Sequence, residues 1–303
     1  MLRPCLSLSR PCGLAWLLLP LGALGAIAAA VLMVGHFGGS RAGAPSASIA
    51  FVEQVIMVDS PALNRSLPAT VYLPPGYEAG DQRYPVLYML HGLGATRDEW
   101  QEYGMFEVAV EMMRSGEIPP FIIVLPEGED GYWFNHAFNG PRWGDYLARD
   151  VVNAIDARYR TLSSRDFRAV GGLSMGADGA LQIALNNPDV FGVVQAHGPV
   201  LRPFDIASPY YGDIEYFNAN YPVTLVEQKP EVARSLKIQL DVGDVDLWLW
   251  SATAFHDQLT ALEIPHEWYV WSGGHDYAYW IRNIPQNLRT MGSVVRAALA
   301  QSP

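Results

Sequence analysis

The chain has 303 residues, 50% hydrophobic and 17% charged, a balance that excludes an intrinsically disordered protein because so much apolar surface must collapse into a core. Twenty Lys and Arg stand against 31 Asp and Glu, a net charge of −11; neutralising phosphates demands a basic surface, so nucleic acid is not an expected partner. Both cysteines, Cys5 and Cys12, precede the first long apolar run, which leaves the rest of the chain without a disulfide framework, a thiolate metal site or a cysteine nucleophile.

From Gly13 to Val34 the chain runs 22 residues without a charge, after Arg3 and Arg10 and before the small-residue stretch HFGGSRAGAPSAS. A helix needs about 20 apolar residues to span a bilayer, whereas the apolar part of a secretory signal is about 7–15 residues long. The length therefore favours an uncleaved signal-anchor, and the small residues Ala28 and Ala30, or Ala42 and Ala44, keep a cleaved signal peptide as the alternative. An apolar helix without a polar face, at a terminus, does not suit a globular core. Basic residues on its leading side place the rest of the chain outside the cytoplasm. Residues 1–35 are read as this N-terminal apolar helix, 36–49 as a linker and 50–300 as one catalytic domain, bound to a membrane through the N-terminal segment if it is not cut.

Beyond residue 50, short apolar runs bounded by Gly or Pro recur: IAFVEQVIMV, ATVYLPP, PVLYMLHG, FIIVLPEG, FRAVGGLS, FGVVQAHG, KIQLDVG and EWYVWSGG. These read as strands. Between them, WQEYGMFEVAVEMMRSG, WGDYLARDVVNAIDARYR, ADGALQIALNNP, SATAFHDQLTALEIP and NLRTMGSVVRAALA have helical spacing. In the second of these, Tyr146, Val151, Ile155 and Tyr159 share one face. Strands alternating with helices predict an α/β fold, a mostly parallel central sheet with helices on both faces; runs such as FIIVL, apolar at every position, fit strands buried on both sides.

Gly172, Leu173, Ser174, Met175 and Gly176 spell G-x-S-x-G between a strand and a helical segment. A serine on so sharp a turn needs glycines two before and two after it, where a Cβ would clash. Its hydroxyl needs a base, and the base an orienting carboxylate. In the strand-turn-helix architecture of this motif both come after the serine, acid first and histidine last. Of seven histidines, His275 stands in a Gly-rich turn directly after the last strand, in WSGGHDYAYW, and is the expected base. His136 and His197 could line the site, and His91 is expected to brace its loop. For the acid, the turn after KIQLDVG offers Asp241, Asp244 and Asp246. Asp246 is favoured, because the chain must reverse before a carboxylate reaches the imidazole. Asp244 is the alternative, or else a cap for a helix starting near Leu247. The expected oxyanion donors are the backbone N–H groups of Met175, directly after the nucleophile, and Leu93, in the Gly-rich loop HGLG.

Taken together, YLPPGY, YPVLYMLHGLGATRDEW, GGLSMGADGAL, DVGDVD and SGGHDYAYW resemble the esterase D-like branch of the α/β-hydrolases, which also holds feruloyl esterases and mycolyltransferases. The resemblance covers roughly residues 50 to 300. It implies a serine carboxylic ester hydrolase with the triad Ser174, Asp246 and His275, and no metal or organic cofactor. Members often carry two glycines after S-M; here Ala177 and Asp178 come after Gly176, an acidic departure beside the nucleophile. Two aromatic-rich loops are expected to form the mouth, with Trp133, Phe134, Trp143, Tyr210, Tyr211 and Trp248 as ring platforms for an aryl or sugar ester. An acidic surface favours neutral esters. Acyl transfer with the same triad, or a non-catalytic binding module, are the competing readings.

Overall fold

The computed structural model describes residues 52–301 apart from Ser208. The apolar helix and linker expected over residues 1–49 lie outside the described residues. Among the described residues, no helix is long and apolar enough to cross a membrane.

Each of the eight apolar runs forms a strand: β1 (Val52–Ser60), β2 (Arg65–Leu73), β3 (Val86–Leu90), β4 (Ile122–Pro126), β5 (Arg168–Leu173), β6 (Val193–His197), β7 (Lys237–Gly243) and β8 (His266–Trp271). They make one 8-stranded sheet in the order β1-β2-β4-β3-β5-β6-β7-β8. From β4 through β8 all neighbours are parallel. The hairpin of β1 and β2 joins antiparallel to β4. The central runs β3 and β4 are buried at every position, as expected for strands covered on both faces, whereas the edge strand β1 leaves Val55 and Met57 exposed.

The helices that matter for the site are α1 (Met105–Arg114), α2 (Trp143–Arg158), α3 (Met175–Asn186), α4 (Leu249–Ala261) and α5 (Tyr277–Gln301). On one face, α2, α3 and α4 pack Leu147, Ala180 and Phe255 against Tyr88, Val170 and Leu240 of the sheet. On the other, α1 and α5 pack Met105 and Leu288 against Leu87, Met89 and Ile123. The expected face of Tyr146, Val151 and Ile155 in α2, and Tyr159 just past its end, is buried. The middle of α2, Tyr146–Val151, is wound as a π-helix, a wide turn from which Asp150 accepts the Ser60 hydroxyl at 2.5 Å and the Ala62 amide at 3.1 Å. Helix α5 begins well before the expected NLRTMG segment and carries Pro285 inside it. Proline removes an intrahelical donor, so the local pattern points to a later start; Asp276, accepting the Tyr279 amide at 3.0 Å, anchors the earlier one.

Candidate active site

Ser174 links β5 to α3 with φ 52 and ψ −114, a backbone conformation that side chains other than glycine rarely adopt. The neighbours hold it there. A Cβ at Gly172 would lie 2.6 Å from the backbone of Gly176, and one at Gly176 would lie 2.4 Å from the Leu90 carbonyl oxygen. The Ser174 amide donates to the carbonyl of His197 on β6 at 3.0 Å. The two glycines therefore answer to chain crossing at the end of the sheet, and the serine is the residue left to project.

His275 Nε2 lies 2.8 Å from Ser174 Oγ and His275 Nδ1 lies 2.8 Å from Asp246 Oδ2. The serine hydroxyl donates to the first nitrogen and the second donates to the carboxylate. These three residues come from the ends of β5, β7 and β8. The Asp246 side chain is fully enclosed, and its other oxygen accepts the Trp248 amide at 2.8 Å. The imidazole stands edge-on to Trp280, 5.2 Å between ring centres, which fixes its plane. Asp244 does not cap the following helix: it accepts the Gly273 amide at 2.9 Å, while Asp246 holds the amide of Trp248 at the start of α4. The reason is register. Asp244 is still paired with β8 through its own amide, which donates to Trp271 O at 2.8 Å, so its side chain faces the histidine loop.

In the loop after β3, the Gly92 amide donates to Glu99 Oε2 at 2.7 Å and the Gly94 amide to Asp130 Oδ1 at 2.8 Å. Among the described residues, the Leu93 amide between them has no acceptor, and Met175, the first residue of α3, has no intrahelical acceptor for its own. The Leu93 side chain is half exposed. His91 is buried and braces the loop: Nδ1 contacts Gly92 O at 2.9 Å and Nε2 the Gly128 amide at 3.0 Å. Burial pushes the neighbouring Glu127 carboxyl up, but the adjacent His91 imidazole and the amides of Glu129 and Arg97 outweigh it and hold it at about 2. Glu99 and Asp130 carried no signal in the sequence, because each acts across a loop whose path the pattern does not reveal.

The aromatic residues expected at the mouth divide. Trp133, Phe134 and Trp143 are enclosed, and so is Tyr211, stacked at 4.0 Å on Phe134; they pack beneath the loops and offer solvent no ring face. Glycines cause this: a Cβ at Gly128 would meet the Trp133 ring at 2.2 Å, and one at Gly131 the Trp143 ring at 2.3 Å. Glycines beside a tryptophan were the signal available. Tyr210 is exposed and stacks on His136 at 4.1 Å, and Trp248 is half-buried. Asp178 does not face an incoming ester as a free charge: Oδ1 accepts the Val200 amide at 2.8 Å and the Leu201 amide at 3.1 Å. Burial pushes its carboxyl up to about 6 against the opposing effect of those amides and Arg202.

A second buried pair lies beneath the site. His197 Nδ1 contacts Asp241 Oδ1 at 2.5 Å, and the Tyr279 hydroxyl donates to Asp241 Oδ2 at 2.7 Å. Asp241 is thereby consumed inside β7, and His197 lies in the core and does not line the mouth. Among the described residues, no group of three or more His, Cys, Asp or Glu is placed to hold a metal ion.

Among curated proteins, Esterase Rv1288 of Mycobacterium tuberculosis is 29% identical over 243 residues, covering 68% of this chain and 51% of that protein. An endo-1,4-beta-xylanase/feruloyl esterase of Xylanibacter ruminicola is 33% identical over 132 residues, covering 41% of this chain and 18% of that one. The chain thus spans about half the length of the mycobacterial relative. Among solved structures, a ferulic acid esterase superposes with a TM-score of 0.73 at 28% identity, over 80% of this chain and 99% of that one. The fluorophosphonate-binding serine hydrolase FphF of Staphylococcus aureus shares the fold, with a TM-score of 0.68 at 21% identity over 80% and 98% of the two chains. The Esterase family model, described as "Putative esterase", matches residues 60–291; with its α/β-hydrolase sheet and helices, this chain belongs to that family.

Proposed function

We propose that the protein is a serine carboxylic ester hydrolase working through an acyl-enzyme, with Ser174 as nucleophile, His275 as general base and then acid, and Asp246 as the carboxylate that orients the imidazole. One observation carries this reading: a single imidazole spans Ser174 Oγ and Asp246 Oδ2 at 2.8 Å on each side. As Ser174 Oγ attacks the ester carbonyl, its proton passes to His275 Nε2, and the imidazolium is stabilised by the enclosed Asp246. The amides of Leu93 and Met175 are the donors for the oxyanion, a contribution of several kcal/mol each in acyl transfer. His275 then gives its proton to the departing alcohol, and water repeats the attack through the same base.

An aryl or carbohydrate ester suits the accessible rings of Tyr210 and Trp248, and the acidic surface disfavours polyanions. The same reading puts the catalytic domain outside the cytoplasm, held at a membrane by residues 13–34 or released by their removal. The test is a panel of short-acyl, long-acyl and hydroxycinnamoyl esters on the purified protein, together with a fluorophosphonate probe. Cleavage of at least one class with labelling at Ser174 is expected; no cleavage and no labelling would overturn the reading. Product analysis with and without an alcohol acceptor separates hydrolysis from acyl transfer.

A further inference from the structure

We propose that Arg202 is a carboxylate-recognition residue beside the reactive serine, so that the preferred ester carries one carboxylate near its scissile bond. The inference rests on the ester-hydrolase reading above and names the substrate class of that site.

The chain leaves β6 through Gly198 and reaches Arg202 by a segment that is tied at every polar backbone group just before it. The Val200 and Leu201 amides donate to Asp178, Ser251 Oγ donates to the Val200 carbonyl at 2.7 Å, and the Tyr221 hydroxyl donates to the Leu201 carbonyl at 2.7 Å. Leu201 is held at φ 48, a conformation unfavourable for a non-glycine residue that persists only where the surroundings over-determine it. The segment therefore has one shape, and that shape aims Arg202.

The guanidinium carbon stands 5.3 Å from the ring centre of Trp248 and 5.9 Å from that of Tyr132. These ring contacts stabilise the cation and leave the N–H edge of its planar fork unspent. Among the described residues, no carboxylate lies within ion-pair distance of it and no acceptor takes a hydrogen bond from it. Asp178 is close enough for its charge to be felt, yet its oxygens are occupied by the two amides. The guanidinium N–H groups are open to solvent without a protein acceptor, and the planar fork complements a carboxylate in two parallel bonds.

The position suits a substrate contact. Asp178 lies one turn along α3 from Ser174, its amide donating to the Ser174 carbonyl at 3.2 Å. Trp248 donates its amide to the triad carboxylate. Arg202 thus contacts the acid's loop through Trp248 and lies near Asp178 of the nucleophile's helix, with the partly exposed Tyr132 and Tyr221 lining the same hollow. The guanidinium is the group that takes the charged end of the substrate. The net acidity of the surface repels polyanions at long range, where salt screens it; a single cation at contact distance selects one carboxylate.

The test compares kcat/KM for para-nitrophenyl hemiglutarate with that for para-nitrophenyl valerate, and for carboxyphenyl acetate with that for phenyl acetate, which put the carboxylate on the acyl or the alcohol side. In the wild type at least one of the two ratios should favour the carboxylate ester. Arg202→Gln should lower that ratio by on the order of tenfold or more, and Arg202→Lys should restore only part of it. Glutarate or benzoate should also inhibit wild-type cleavage of the neutral ester competitively, a measurement that needs no variant. Neutral esters preferred on both sides with no such inhibition, or ratios unmoved by Arg202→Gln, would overturn the proposal. Fluorophosphonate labelling of Ser174 in the same samples shows whether the hydrolase reading itself still stands.

Discussion

A Cβ placed on Gly243 would fall 2.1 Å from the carbonyl oxygen of Gly273, so the loop that carries Asp246 and the loop that carries His275 meet backbone to backbone. The amide of Val245 donates to that same carbonyl at 3.1 Å. Gly243→Ala should therefore push the two loops apart. We expect a fall in kcat well beyond any fall in thermal stability, because the strain lands between acid and base; overpacking of this kind costs about 1–3 kcal/mol in stability. Equal activity in the variant would show that the contact does not set the triad.

The two neighbouring aspartates have separable tasks. Asp246→Asn removes the charge facing His275 and should reduce kcat by about 10⁴-fold. Asp244→Asn weakens only the hydrogen bond from the Gly273 amide and should cost far less, roughly tenfold at most. Steady-state kinetics on one ester decides it: a larger loss at 244 would reverse the assignment.

Ser174→Ala should abolish fluorophosphonate labelling and lower ester cleavage by on the order of 10⁶-fold. The melting temperature should not fall, since the hydroxyl is partly exposed and alanine fits the space.

Asp178 gives a pH dependence of stability with a definite sign. An ordinary aspartate in the unfolded chain titrates near about 4, while in the folded protein burial raises Asp178 to about 6. Between these values the folded state holds more protons than the unfolded one, so stability falls as pH rises through the window and levels off above it. Asp178→Asn lacks this titration. The difference in melting temperature between variant and wild type should shift in favour of the variant from about pH 4 to about pH 6, and a difference constant with pH would refute the assignment.

Tyr279→Phe leaves Asp241 Oδ2 buried without its 2.7 Å donor. An unsatisfied buried acceptor costs about 1–3 kcal/mol, read as a lower denaturation midpoint at unchanged slope.

The three side chains that meet at 2.8 Å were more legible than their surroundings. Ser174, His275 and the acid turn could be read because each sits where an apolar run breaks at glycines, and the same breaks placed all eight strands. Trp133, Trp143 and Tyr211 were misplaced because aromatic content alone does not distinguish a ring under a loop from one on it. The glycines at 128 and 131, against which those indoles lie, held that information. Asp244 serves the Gly273 amide and not a helix cap, because its role depends on where pairing with β8 stops, which local pattern does not specify. Pro285 hid the first turns of α5, since packing of Tyr279, Trp280 and Ile284 on the sheet outweighs the missing donor.

In the proposed mechanism the reacting groups hang from the ends of β3, β5, β7 and β8, whereas the long excursions after β4 and β6 and the turn after β7 supply the rings and the cation around them. Inheritance can therefore act on the two parts at different speeds. Insertions or deletions within those excursions would alter which molecules enter, while the proposed reacting groups keep positions set by the register of the parallel strands.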